Sequence, residues 1–283
     1  MSTVGGLLRW AREHLADTDQ AHSDALALLS HLLHKDRAWL FAWDDALVDA
    51  QTEAAYRELV QQRGKGVPVA HLTGTRSFWN LQLRVSPDTL IPRPETEHLV
   101  EQALQLGDAN RPLRVLDLGT GSGAIALALA NERATWQITA VERSVTALRL
   151  ARSNAVQLGL GNVRFVHGSW FEPVKGPFEL IVSNPPYVAD DDPHLRRGDL
   201  RFEPTSALAS GAEGLDDIRR IVAQAPAHLV AGGWLLFEHG YDQGSACRQL
   251  LAERGFMEVF TGRDLAGLER FSGGHSPLDH RGN

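Results

Sequence analysis

Cysteine occurs once in the 283 residues, at Cys247, which excludes an internal disulfide framework and suits a reducing compartment. No apolar run approaches the roughly 20 residues of a membrane span, and residues 1–12 lack the basic-then-apolar order of a secretory signal. Cations are in the minority. With 28 Lys and Arg against 35 Asp and Glu, the formal net charge is −7, which disfavours broad affinity for nucleic-acid backbones. The 12 histidines are joined by no cysteine cluster. His31 and His34 share a helix face without a third ligand at metal spacing. Nor is there a Gly-x-Ser-x-Gly elbow for a serine nucleophile. These absences predict a cytoplasmic protein with no metal, no covalent nucleophile, no direct nucleic-acid contact and no membrane contact; the protein is expected to be a monomer.

The chain is long enough for two cores. Leu7, Leu8, Ala11 and Leu15, then Leu26, Leu29, Leu32 and Leu33, then Ala55, Leu59 and Val60, recur at helical spacing. Gly64-Lys65-Gly66-Val67-Pro68 breaks the pattern. The expected organisation is a helical domain over 1–75, a connector of short strands over 76–91 and an α/β domain over 92–283. In that last part, apolar strand-like runs at 114–118, 137–141, 163–166, 180–183, 234–238 and 257–261 alternate with helical ones. Such alternation predicts a doubly wound, mostly parallel sheet, and the polar tail over 273–283 is expected to be loose.

Three turns follow strands, where open α/β sheets bind ligands. Val115-Leu116-Asp117-Leu118 runs into Gly119-Thr120-Gly121-Ser122-Gly123, whose glycines let a ligand approach the backbone. Glu142, at the end of the next strand, follows Gly119 by about twenty residues and suits a ribose diol. After a third strand, Trp170 in His167-Gly168-Ser169-Trp170-Phe171 is placed to stack on a nucleobase or to pack under its loop. The spacing Gly119-x-Gly121-x-x-Ala124 also satisfies the weak dinucleotide fingerprint. However, Asp117 puts a carboxylate in the turn, which a cationic ligand tolerates better than a diphosphate does.

Asn184-Pro185-Pro186-Tyr187 ends the apolar run from Phe178. The two prolines carry no N–H and cannot extend a helix or ladder. They leave the carbonyls of Asn184 and Pro185, with the Asn184 side-chain oxygen, as a rigid rim of acceptors beside the Tyr187 ring. A planar NH₂ group has the two hydrogens to meet such a rim. The bland alternative is a turn that merely ends a strand. Pro92-Arg93-Pro94-Glu95-Thr96-Glu97 reads mainly as a helix start, except for Arg93, which is locked between prolines.

Taken together, these residues resemble the HemK-type release factor glutamine methyltransferase family nearly end to end. Beyond the two motifs above, the resemblance rests on Pro68-Val69-Ala70-His71-Leu72-Thr73-Gly74, Leu90 to Glu97, Arg201-Phe202-Glu203-Pro204, Leu236-Phe237-Glu238-His239-Gly240 and Asp264 to Arg270. The resemblance implies a Rossmann-like S-adenosylmethionine-dependent methyltransferase with a smaller N-terminal helical bundle that recognises substrate, and a last strand running antiparallel. It implies S-adenosylmethionine as donor and, as acceptor, the glutamine amide in the Gly-Gly-Gln loop of class I peptide chain release factors. Asp117, Gly119, Thr120, Gly121, Ser122, Gly123, Glu142, Trp170 and Asn184 would then hold the donor, and Asn184, Pro185, Pro186 and Tyr187 the acceptor. Two positions depart from the family pattern, since Glu142 and Ser169 stand where Asp is usual. Two other readings remain open, an adenine amino-methyltransferase acting on nucleic acid and, less well supported, an NAD-dependent dehydrogenase or nucleotide-binding module.

Overall fold

The computed structural model describes residues 1–16 and 20–278. The chain forms two compact units, one of Met1–Thr75 with Gly198–Phe202 and one of Arg76–Arg197 with Glu203–Asn283.

The first unit contains α1 (Val4–His14), α2 (Ala21–Leu33), α3 (Arg37–Ala42), α4 (Ala50–Gly64) and α5 (Val69–Thr73). Three of its helix starts are capped by side chains: Thr3 accepts from Gly6 N, Asp36 from Trp39 N, and Asp49 from Gln51 N and Thr52 N, each satisfying backbone donors that the first turn orphans. The core gathers Leu7, Ala11, Leu28, Leu29, Leu40 and Tyr56. The buried Tyr56 hydroxyl donates to Ala25 O at 3.0 Å, so its polar end is not left unpaired. Arg63 holds Asp24 at 2.7 Å and Asp199 at 3.0 Å, which ties the residue 198–202 segment into this unit.

The chain enters the second unit within a two-stranded ribbon, β1 (Thr75–Phe78) and β2 (Leu81–Arg84), followed by α6 (Thr96–Leu106). Then come β3 (Arg114–Leu118), α7 (Ala124–Glu132), β4 (Gln137–Glu142), α8 (Val145–Leu158), β5 (Val163–His167) and β6 (Phe178–Ser183). After three short 3-10 turns the chain continues through α9 (Asp216–Gln224), β7 (Leu229–Glu238), α10 (Gly244–Glu253), β8 (Met257–Arg263) and β9 (Glu269–His275). The seven-stranded sheet has the order β5-β4-β3-β6-β7-β9-β8. β3 pairs in parallel with β4 and β6, β4 with β5, and β6 with β7, whereas β9 is antiparallel to both β7 and β8. The doubly wound, mostly parallel sheet expected from the sequence is present, and the last strand is the reversed one.

Side chains alternate across the sheet as the pleat requires. Val115, Leu180 and Val182 join Leu99, Ala103 and Leu127 in one core layer, while Leu116, Leu118 and Ile181 join Ile218, Ile221 and Leu251 in the other. Helices therefore cover both faces. The strand order reverses direction around β3, and such a switch point opens a crevice at the carboxyl ends of the strands.

Two expectations need correction. The residues from Gly273 are not a loose tail: Gly273 to His275 complete β9, and Ser272, Gly273 and Gly274 are buried between β7 and β8. A Cβ at Gly273 would lie 2.3 Å from Leu236 Cδ2, so the absence of a side chain is what admits this strand. Residues 279–283 of the expected tail lie outside the described residues. β7 also starts at Leu229 rather than 234. The segment Ala231-Gly232-Gly233 carries no apolar signature, and its pairing with β6 shifts register between Phe178 and Leu180.

Among the described residues, no helix is long and apolar enough to cross a membrane, and no group of three or more His, Cys, Asp or Glu is arranged to hold a metal ion.

Candidate functional site

A cleft of about 960 Å³, counting its open mouth, lies at the carboxyl ends of β3, β4, β5 and β6 in the second unit. The turn after β3 is built from Gly119, Gly121 and Gly123 with φ of 73°, 56° and 90°, the left-handed region that only glycine enters at little cost. Four of its five backbone donors are already used. Gly119 N and Thr120 N both donate to Val141 O at 2.9 and 3.0 Å, Gly123 N donates to Thr120 O at 2.8 Å, and Gly121 N donates to Glu142 Oε2 at 3.0 Å. A diphosphate site needs converging free N–H groups. This turn points those four elsewhere and sets a carboxylate beside them, so it favours a neutral or cationic ligand over an anionic one.

Glu142 ends β4. Its Oε1 accepts from Ser144 N at 2.8 Å, so each carboxylate oxygen makes one backbone bond and retains acceptor capacity. Two spare acceptors on one rigidly held carboxylate suit a vicinal diol. Trp170, after β5, lies on the glycine turn: a Cβ at Gly119 would sit 3.3 Å from its ring. The Trp170 Nε1–H donates to Asp217 Oδ1 at 3.2 Å. The indole therefore packs under its loop and also forms part of the cleft wall.

Asp117 is fully buried behind this wall. The Thr120 hydroxyl donates to its Oδ2 at 2.6 Å. Burial pushes its carboxyl up to about 7, with the Thr120 hydrogen bond opposing the rise. Among the residues singled out by sequence, Gly119, Thr120, Gly121, Ser122, Glu142, Trp170, Asn184 and Pro186 line the cleft, whereas Asp117, Gly123, Pro185 and Tyr187 lie outside its lining. Asp117 is tied to the wall by the hydrogen bond from Thr120, and Gly123 is the N-cap of α7.

The Asn184 loop carries a hydrogen-bond chain whose other members sequence reasoning did not single out. Asn184 Nδ2 donates to Thr96 Oγ1 at 3.1 Å, and the Thr96 hydroxyl donates to Glu238 Oε2 at 2.6 Å. On the far side, the Tyr187 hydroxyl donates to Glu238 Oε1 at 3.0 Å. Asn184 Oδ1 is buried and has no hydrogen-bond partner. Burial raises the Glu238 carboxyl above its ordinary range, opposed by the bonds from Thr96 and Tyr187. Burial, with the Glu238 charge adding to it, raises the Tyr187 phenol well above its own ordinary range.

The remaining wall is clasped by ions. Arg93 pairs with Glu203, whose other oxygen accepts Ile91 N at 2.9 Å. Arg143 donates to Ser206 O at 2.6 Å. These two contacts hold Pro204, Ser206 and Ala207 along the cleft, which gives Arg93 a bracing task. Thr96 and Glu238 fall inside segments noted for other reasons, a helix start and a strand end. Their contact spans 142 residues of sequence and has no local signature.

The profile of the PrmC N-terminal domain matches residues 6–74, and that of the methyltransferase small domain matches residues 96–198. The chain is 54% identical over 255 residues to the release factor glutamine methyltransferase of Xylella fastidiosa strain Temecula1, covering 90% of this chain and 93% of that one. It is 48% identical over 272 residues to the release factor glutamine methyltransferase of Vibrio cholerae, covering 95% of each. A crystal structure of a methyltransferase from Pyrococcus furiosus aligns with a TM-score of 0.55 at 18% identity, over 78% of this chain and 98% of that one. That last likeness concerns the fold alone.

Proposed function

The chain belongs to the release factor glutamine methyltransferase family, and from that premise we propose that it methylates the side-chain amide nitrogen of the glutamine in the Gly-Gly-Gln motif of class I peptide chain release factors, in the cytoplasm. The methyl donor is S-adenosylmethionine, which when bound supplies an electrophilic methyl group on a sulfonium.

The observation that carries this reading is the buried, unpartnered Asn184 Oδ1 on the cleft wall. A buried acceptor left without a partner costs about 1 to 3 kcal/mol, and a substrate NH₂ removes that cost. An amide nitrogen is a poor nucleophile because its lone pair is delocalised into the carbonyl. Held by Asn184 Oδ1 on the cleft wall, it is oriented for in-line displacement. Orientation of this kind supplies up to about 7 to 11 kcal/mol in the best cases. The nitrogen gains the methyl group as the carbon–sulfur bond breaks to leave a neutral thioether, and then releases one proton to water, so no side chain need act as a strong base beforehand.

The residues present fit the donor. Glu142 has an acceptor site to spare on each oxygen for the ribose hydroxyls, and Trp170 presents an indole to the cleft for the adenine. The glycine turn, with four of its N–H groups already paired and a carboxylate beside it, tolerates a cation. Asp117 supports this turn through Thr120 rather than touching the donor. Selection of one protein among many glutamine-bearing ones needs a larger surface than an amide pocket, and we assign it to the helical unit, Met1–Thr75 with Gly198–Phe202.

An adenine exocyclic amine would fit the same acceptor rim. That reading is not favoured, because a nucleic-acid enzyme ordinarily carries a basic recognition surface and the formal charge here is −7. A dinucleotide reading has no use for the Asn184 loop and conflicts with the occupied turn N–H groups. Calorimetric titration with S-adenosylmethionine and with NAD tests the donor, and transfer of a labelled methyl group to release factor or to DNA tests the acceptor. Binding of NAD in preference, or label in DNA and not in release factor, would remove the proposal.

A further inference from the structure

We infer that Glu238, acting through Thr96, fixes which end of the Asn184 amide faces the acceptor, so that both are positioning residues for the transfer. The inference rests on the proposed role of Asn184 and adds a control over it.

An asparagine amide is nearly symmetric in shape but opposite in hydrogen-bonding sense at its two ends. In the cleft, the wrong end would present an NH₂ to a substrate NH₂, and donor would meet donor. What selects the correct end is the polarity of the chain behind it. An ionised Glu238 only accepts, so Thr96 spends its single hydroxyl proton on Glu238 Oε2 at 2.6 Å. Toward Asn184, Thr96 can then act only as an acceptor. The Asn184 Nδ2 must face it, at 3.1 Å, and Oδ1 is left free. Tyr187 secures the other Glu238 oxygen at 3.0 Å, which keeps the carboxylate from rotating. Thr96 and Glu238 are 3% and 2% exposed, so water does not scramble the polarity. Tyr187, three residues after Asn184, is thus tied to the same carboxylate as Thr96, which orients the rim.

The charged and titratable groups acting on Glu238 are Tyr187, Glu95 and Arg270. Protonating Glu238 would let it donate to Thr96, which would free the Thr96 proton for Asn184 and invert the chain. The polarity therefore requires the ionised carboxylate.

The test compares the full-length protein with Thr96→Val, Thr96→Ser and Asn184→Asp, using intact release factor as acceptor and titration with S-adenosylmethionine as the check that each variant is folded. Thr96→Val keeps the side-chain shape and removes the hydroxyl. It should lower kcat roughly tenfold or more with donor affinity within about twofold, while Thr96→Ser recovers most of the loss. Asn184→Asp has acceptors at both ends and nothing to orient, so adding Thr96→Val to it should cost less than about threefold, the mark of coupled sites. An equal loss from Thr96→Val in both backgrounds, or equal losses for Val and Ser, would overturn the inference; the Val and Ser contrast decides if Asn184→Asp is too slow to read. A parent protein that moves no methyl group to release factor removes the proposed function and this inference with it. An active parent unaffected by Thr96→Val removes the inference alone.

Discussion

Glu142 Oε2 accepts the Gly121 N–H at 3.0 Å, so the carboxylate assigned to the donor ribose also shapes the glycine turn beneath it. Glu142→Gln keeps one acceptor oxygen and sets an NH₂ against a backbone donor, either Gly121 N or Ser144 N. S-adenosylmethionine should bind more weakly by about 1 to 3 kcal/mol, the range for hydrogen bonds to a charged group. The maximum rate at saturating donor should change little. Unchanged calorimetric affinity in both Gln and Ala variants would make Glu142 a turn residue only.

Asn184→Ala removes the acceptor that holds the substrate nitrogen. Turnover should fall by about 3 to 4 kcal/mol in barrier, as for loss of one preorganised polar group, with only a modest change in donor affinity. Asn184→Asp keeps an acceptor oxygen toward the cleft and should retain more activity than Ala. Single-turnover rates separate the outcomes, and Ala and Asp variants equally inactive would contradict the role.

Asp117 makes stability depend on pH in a defined direction. Its carboxyl, ordinarily near 3.8, is raised by burial to about 7. Between those values the unfolded chain has lost the proton that the folded protein keeps, so this contribution is full below the ordinary value and declines as pH rises toward 7, by up to about 4 kcal/mol. Asp117→Asn still accepts from Thr120 and has no proton to lose. The difference in melting temperature between Asp117→Asn and the parent, without donor, should therefore grow in favour of the variant from pH 4 to pH 8. A difference that stays constant across that span would show that Asp117 ionises normally.

Asp24 is paired with Arg63 at 2.7 Å, with the two side chains 8% and 12% exposed. Asp24→Ala leaves the guanidinium with Asp199 as its one carboxylate partner beside the Val67 carbonyl, and the cost should be about 3 kcal/mol in the stability of the helical unit. Donor affinity should not change. If the helical unit selects the substrate, methylation of intact release factor should fall well below the parent while that of a free Gly-Gly-Gln peptide stays level. Parallel losses on protein and peptide would place recognition elsewhere.

Much of the architecture is legible in the sequence because a parallel sheet buried on both faces writes its strands as apolar runs, as in Val115 to Leu118 and Leu180 to Val182. β9 escapes that rule. Its centre is Ser272-Gly273-Gly274, chosen to fit between β7 and β8 rather than to contribute apolar area. The glycine turn, Glu142 and the Asn184 loop are readable because each is contiguous and follows a strand. Thr96 and Glu238 are not, since neither has a helical or strand reason to be polar and the bond between them joins distant parts of the chain. Asp117 was readable as an acid in the turn but not as one screened from the cleft by the Thr120 hydroxyl.

The central claim, that the Asn184 loop presents a glutamine amide for methylation, is tested most directly by mass. A class I release factor incubated with the protein and S-adenosylmethionine is digested and its Gly-Gly-Gln peptide is fragmented. The account predicts a gain of one methyl mass, located on the glutamine side-chain nitrogen, and its near-absence with Asn184→Ala. A peptide of unchanged mass, or a methyl group carried on any other residue, would contradict it.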